Sequence, residues 1–153
     1  MATEELIIGK RLIDGAQFYS LSDLAQKRSK QKPNEVLRNW INQADTVEFI
    51  EEWERSNNPR YKADSFIRFK MNHYNQKRLA SLYEFIRRLN TSGIKSLMEN
   101  PSGIYAHLDI ALEFMCWMDP KVRLQLYAIY RSSQNFSKKN PLLDLFDPLQ
   151  KEN

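Results

Sequence analysis

The chain has 153 residues, with 23 Lys and Arg against 19 Asp and Glu, a net charge of +4, and 42% apolar and 12% aromatic content. That length suits one domain with a real core, and the composition excludes an intrinsically disordered chain. The apolar runs fall far short of the roughly 18 residues of a membrane span, nothing at the N-terminus reads as a signal peptide, and a lone Cys116 excludes an internal disulfide framework, so a cytoplasmic location is the default expectation.

The N-terminal stretch reads as a β-hairpin. Leu6-Ile7-Ile8 and Leu12-Ile13 flank Gly9-Lys10-Arg11, and the turn signal Asp14-Gly15 precedes the β-prone pair Phe18-Tyr19. Ser20-Leu21-Ser22-Asp23 is a helix start with Ser20 as cap, and Leu21, Leu24 and Ala25 supply its buried face. Gln26 to Pro33 lacks an apolar stripe and reads as a loop. Asn34 is expected to cap a second helix with Val36, Leu37, Trp40 and Ile41 on one side. A third helix places Val47, Ile50 and Trp53 inward and Glu48, Glu51, Glu52 and Glu54 mostly outward. Short helix, basic loop, helix is a helix-turn-helix-like order, with a loop longer than the usual turn of about 3–4 residues.

Asn57-Asn58-Pro59 breaks the chain. Residues 60–78 are poorly patterned, and Ser65 to Lys70 fits either a strand or an exposed helical turn. Helical spacing returns with Leu79, Leu82, Tyr83, Ile86 and Leu89. Gly93 and Pro101-Ser102-Gly103 punctuate the connection to a short strand at Ile104-Tyr105. From His107 to Met118 the chain is apolar nearly all round, the pattern of a helix buried on several sides. Asp119-Pro120 starts the last helix, with Val122, Leu126 and Ile129 as its core stripe. The expected class is α+β: an N-terminal β-hairpin and a mostly helical body containing the helix-turn-helix-like unit. The domain is expected over residues 1–137, with residues 138–153 a short C-terminal tail. In that tail Leu142, Leu143, Leu145, Phe146 and Leu149 lie beside Asp144 and Asp147. The segment suits docking on its own domain, on a second copy as a homodimer, or on another protein, rather than free disorder.

Charge is segregated. Lys27, Arg28, Lys30, Lys32 and Arg38 against Glu35 leave residues 26–39 at +4. Residues 44–56 stand at −4, from five acids against Arg55. Nine bases against Asp64 and Glu84 put residues 60–98 at +7, and four acids without a base put residues 99–119 at −4. A basic loop and helix with Gln31, Asn34 and Asn39 offers charge-assisted bonds to phosphates and polar groups for base edges, joined by bases such as Arg68 and Lys70. The plainer alternative is a solvated surface whose blocks pair with each other. Aromatics interleave with bases at Tyr61, Phe66, Phe69 and Tyr74; stacking on unpaired bases is conceivable chemistry there, but core packing is preferred.

Catalytic and metal chemistry find little support. His107, Asp109, Glu113 and Cys116 share a segment, yet no CxxC or HxxxH spacing exists, so a capping or core histidine beside a buried thiol is the expectation. Cys116 lies in an apolar helix without an activating partner, and no carboxylate cluster for Mg²⁺ stands out among the basic segments. No enzyme activity, cofactor or metal is expected.

The run Ser102-Gly103-Ile104-Tyr105-Ala106-His107-Leu108-Asp109-Ile110-Ala111, continuing through Trp117 to Asp119-Pro120, resembles the signature of KilA-N domains. That family occurs in bacteria, phages and large DNA viruses. Phe18 to Ala25 is similar to the family's first-helix start, Val36-Leu37-Arg38-Asn39-Trp40-Ile41 to its Asn-Trp helix, and Thr46 to Glu54 with Asn57-Asn58-Pro59 to a linker of bacterial members. The likeness spans about residues 6–131. It implies a fold related to the DNA-binding domain of fungal APSES transcription factors, and binding of double-stranded DNA through the helix-turn-helix-like unit. Lys27, Arg28, Lys30, Lys32 and Arg38 would then contact phosphates, with Asn34 and Asn39 reading bases. The context would be a regulatory protein of a phage, mobile element or bacterium. The rival is a protein-interaction module presenting its acidic surfaces or its apolar tail.

Overall fold

The structure, a computed structural model, describes residues 8–76, 79–98 and 103–133. In chain order it contains β1 (Lys10–Ile13), β2 (Ala16–Ser20), α1 (Leu21–Arg28), α2 (Pro33–Ile41), α3 (Ala44–Asn57), α4 (Ala63–Gln76), α5 (Leu82–Leu89), β3 (Ile94–Leu97), β4 (Gly103–His107), α6 (Leu108–Met118) and α7 (Pro120–Ser133). The class is α+β, and the chain divides into two compact units, Met1–Met118 and Asp119–Asn153.

The first unit is organised by a four-stranded antiparallel sheet of order β1-β2-β4-β3. Its hairpin closes as the sequence predicts. Asp14 and Gly15 both have positive φ, 50° and 82°, the pair of left-handed residues that matches a two-residue turn to the twist of its strands. β2 then pairs with the distant β4, so that Tyr19 lies opposite Ala106 and Ser20 opposite Tyr105. β3 is an element the sequence did not announce: Ile94 pairs with Ala106 and is fully buried. Gly93, just before it, packs so closely that a Cβ there would meet Ile110 Cδ1 at 2.5 Å and the Trp53 ring at 2.6 Å.

Helices cover this sheet around a core centred on Trp40, which is wholly buried and lies 4.8 Å, centroid to centroid, from Phe114. Phe85 receives Phe66 and Phe69 edge-on at 6.4 and 5.1 Å. Those two aromatics from the poorly patterned stretch are therefore core residues, and the stretch itself is α4, a regular helix in place of a strand or isolated turn. Its buried positions, Phe66 and Phe69, are only three apart and sit among bases, which hid the stripe. The buried stripe of α5 is Leu82, Phe85 and Leu89; Leu79 precedes the helix, and both it and Tyr83 are exposed.

Two expected surface acids turn inward. Glu54 is 1% exposed and accepts hydrogen bonds from Ser92 N at 2.9 Å, Gly93 N at 2.9 Å and Asn58 Nδ2 at 2.8 Å. Glu51 accepts from Lys70 Nζ at 2.7 Å and from the Tyr61 hydroxyl at 3.1 Å. Buried carboxylates are tolerated because each is fully engaged by donors. α6 buries Ile110, Ala111, Phe114 and Cys116 but leaves Leu108 and Trp117 exposed, so it is covered less completely than its composition suggests.

The described part of the second unit is α7. Pro120 occupies its first turn, and Asp119 Oδ1 accepts from Lys121 N at 2.9 Å. Val122 is buried, but Ile129 is 65% exposed, so the expected three-residue stripe does not hold together. The apolar run 142–149 lies outside the described residues.

Candidate nucleic-acid interface

α1 is fixed to the sheet by three successive polar contacts from its first turn. Ser20 Oγ accepts from Asp23 N at 3.1 Å and caps the helix. Asp23 Oδ2 accepts from Gly9 N at 2.8 Å, before β1, and Ser22 Oγ accepts from Ile104 N at 3.1 Å, in β4. Leu21, Leu24 and Ala25 complete the attachment by burial.

The helix runs through Arg28, closing with Ser29 N on the Ala25 carbonyl at 3.0 Å. The connection to α2 is thus Ser29 to Lys32, four residues instead of the longer loop expected, and within the usual span of a helix-turn-helix. α2 begins at Pro33, and no side chain caps it. The expected Asn34 cap is replaced by proline at the first position, where the missing N–H needs no partner. Asn34 consequently lies within the first turn. At the other end, Asn42 clamps Ala80, with Nδ2 donating to its carbonyl at 2.8 Å and Oδ1 accepting from its N–H at 3.0 Å.

The faces of α2 separate cleanly. Val36, Leu37, Trp40 and Ile41 are all buried, while Asn34, Glu35, Arg38 and Asn39 are all exposed. Lys30 and Lys32 are exposed in the preceding turn. Arg28 is exposed and Lys27 half-buried in the last turn of α1, each with an interaction inside the fold. Beside α2 lies a depression of about 210 Å³ in which Asn34, Glu35 and Arg38 face Ser81 and Tyr83 at the start of α5. Ser81 and Tyr83 belong to this surface, although neither carries a charge or motif that would single it out in the sequence.

Arg68 and Lys70 have different surroundings. Arg68 is exposed on α4. Lys70 points at α3, where its Nζ lies 2.6 Å from Glu48 Oε1 and 2.7 Å from Glu51 Oε1. Burial pulls the pKa of Lys70 down, but the bonds to Glu48 and Glu51 outweigh it and hold the ammonium above its ordinary value. Its charge is spent inside the domain.

His107 Nδ1 accepts from Asp109 N at 3.2 Å at the head of α6, and Asp109 Oδ2 accepts from Trp53 Nε1 at 2.9 Å. Among the described residues no group of three His, Cys, Asp or Glu side chains is placed to hold a metal ion, and no helix is long and apolar enough to cross a membrane.

The sequence model of the KilA-N domain matches residues 4–135, which takes in every described element. The chain belongs to the KilA-N family. Domains of this family are generally DNA-binding domains. No curated protein and no solved structure matches this KilA-N chain.

Proposed function

We propose that this KilA-N domain is a non-enzymatic DNA-binding module that docks on duplex DNA with α2 as its reading helix. The observation that carries this is the division of α2 into four buried apolar and four exposed polar positions, presented after a four-residue basic turn. Lys30, Lys32 and Arg38 supply phosphate contacts, supported by Lys27 and Arg28, while Asn34 and Asn39 offer donors and acceptors to base edges. Lys70, held by two glutamates, is left out of the face; Arg68 lies apart from it on α4. A regulatory role in a phage, mobile element or bacterium, in the cytoplasm, is the setting we propose. The rival reading through acidic surfaces is weakened because Glu51 and Glu54 face inward.

The test is a Lys30→Ala/Lys32→Ala/Arg38→Ala variant titrated with duplex DNA over a range of salt. Loss of three phosphate contacts is expected to lower the log–log salt slope by about 2.7. Unchanged affinity and slope would place the face elsewhere. Asn34→Ala or Asn39→Ala is expected to cost about 1–3 kcal/mol on a selected sequence while leaving the slope alone.

A further inference from the structure

A second group of bases lies at the far end of α5 from the reading helix. A depression of about 380 Å³ is lined by Arg60, Lys62 and Ser65 from the α3–α4 region and by Arg88 and Asn90 at the end of α5. An adjoining one of about 490 Å³ shares Lys62 and Ser65 and adds Asp64 and Arg68. α5 bridges these hollows to the α2 surface. Tyr83 lines the α2 depression, and exposed Arg87 follows one turn later on the same side of the helix.

The acidic segment 44–56 does not neutralise this group. Glu48 and Glu51 are taken by Lys70, Glu52 by Arg55, and Glu54 by backbone donors. Arg88 pairs with Glu84 at 3.3 Å, but among the described residues no carboxylate pairs with the side chains of Arg60, Lys62, Arg68 or Arg87. Phe66 and Phe69 are buried and unavailable for stacking, whereas Tyr83 of α5 and Tyr74 of α4 are exposed. A surface on which Arg60, Lys62, Arg68 and Arg87 have no carboxylate partner suits the phosphates of a duplex.

We propose that Arg60, Lys62, Arg68, Arg87 and Arg88 form a strip that grips the phosphate backbone of the same duplex beyond the stretch read by α2. This rests on the DNA-binding reading above and extends it. Eight residues of α5 span about 12 Å, so the strip reaches roughly three to four base pairs further along the DNA axis. Length of duplex therefore distinguishes the two surfaces.

Wild type, an Arg60→Ala/Lys62→Ala/Arg87→Ala variant and the Lys30→Ala/Lys32→Ala/Arg38→Ala variant are titrated with duplexes of about 10 and about 25 base pairs, at several salt concentrations. Circular dichroism melting checks that each variant is folded. The strip variant is expected to bind the short duplex like wild type, and on the long one to lose about tenfold or more in affinity and about 2.7 in salt slope. Wild-type affinity and slope of the strip variant on the long duplex, with the α2 variant impaired on both, overturn the strip and spare the DNA reading. Equal losses of the strip variant on both lengths overturn the extended path as well. Failure of wild type to bind either duplex removes both proposals together.

Discussion

Glu54 accepts from two backbone amides, a serine hydroxyl and an asparagine amide, all from inside the fold. Replacing it with alanine removes the acceptor shared by all four donors, Gly93 N being buried. Glu54→Ala is expected to cost about 3–5 kcal/mol, read as a lowered urea midpoint with unchanged m-value. A change below about 0.5 kcal/mol would mean the donors find other acceptors. Helical spacing from Val47 and Ile50 puts Glu51 and Glu54 on the inner face of α3 and Glu52 off it. A carboxylate is accepted there only where donors meet it. The Glu54 partners Ser92 and Gly93 lie 38 and 39 residues away, and Lys70 lies 19 residues from Glu51. Periodicity shows the face, whereas the donors that let a carboxylate stay on it lie too far along the chain for a local pattern to supply.

At the scale of elements, what was legible depended on how far the deciding contact lies. The cap of α1 is settled within four residues, Ser20 to Asp23, and the hairpin turn within two, Asp14 and Gly15. The apolar stripes of α1 and α2 were equally plain, since each is one uninterrupted face. β3 was not, because four residues become a strand only by pairing with β4. The start of α2 lay between two local signals, Pro33 and Asn34, and proline prevailed. For the candidate site, the basic turn and the outer face of α2 could be read from spacing, but the internal fate of Lys70 could not. Ser20→Ala removes a cap that also secures the sheet–helix junction, and a loss of about 1 kcal/mol in urea denaturation is expected. Stability equal to wild type would show that the exposed amides of the first turn are satisfied otherwise.

For the whole molecule, the Lys70–Glu48–Glu51 group couples α3 to α4 and sets an alkaline limit on stability. Folding raises the pKa of Lys70, so its contribution is complete below the unfolded lysine value and fades as pH rises through the folded one. Tyr61, raised by burial and by its bond to Glu51, acts in the same direction, because the unfolded chain loses its phenolic proton first. Stability of the wild type is thus expected to fall from about pH 10 upward. Lys70→Met is expected to lose about 1–2 kcal/mol at neutral pH and to show a shallower alkaline decline. Parallel pH profiles for the two proteins would show that Lys70 does not govern the limit.

The two-sided character of α2 also bears on how such a domain can diversify. Its inner four residues are committed to the core, whereas the side chains of Asn34, Glu35, Arg38 and Asn39 are exposed and make no hydrogen bond or ion pair among the described residues. Substitution at those four positions should therefore be nearly neutral for folding, typically within about 0.5 kcal/mol. Drift can rewrite the outward residues while selection holds the inward ones, so one scaffold can acquire many preferences without passing through an unfolded ancestor.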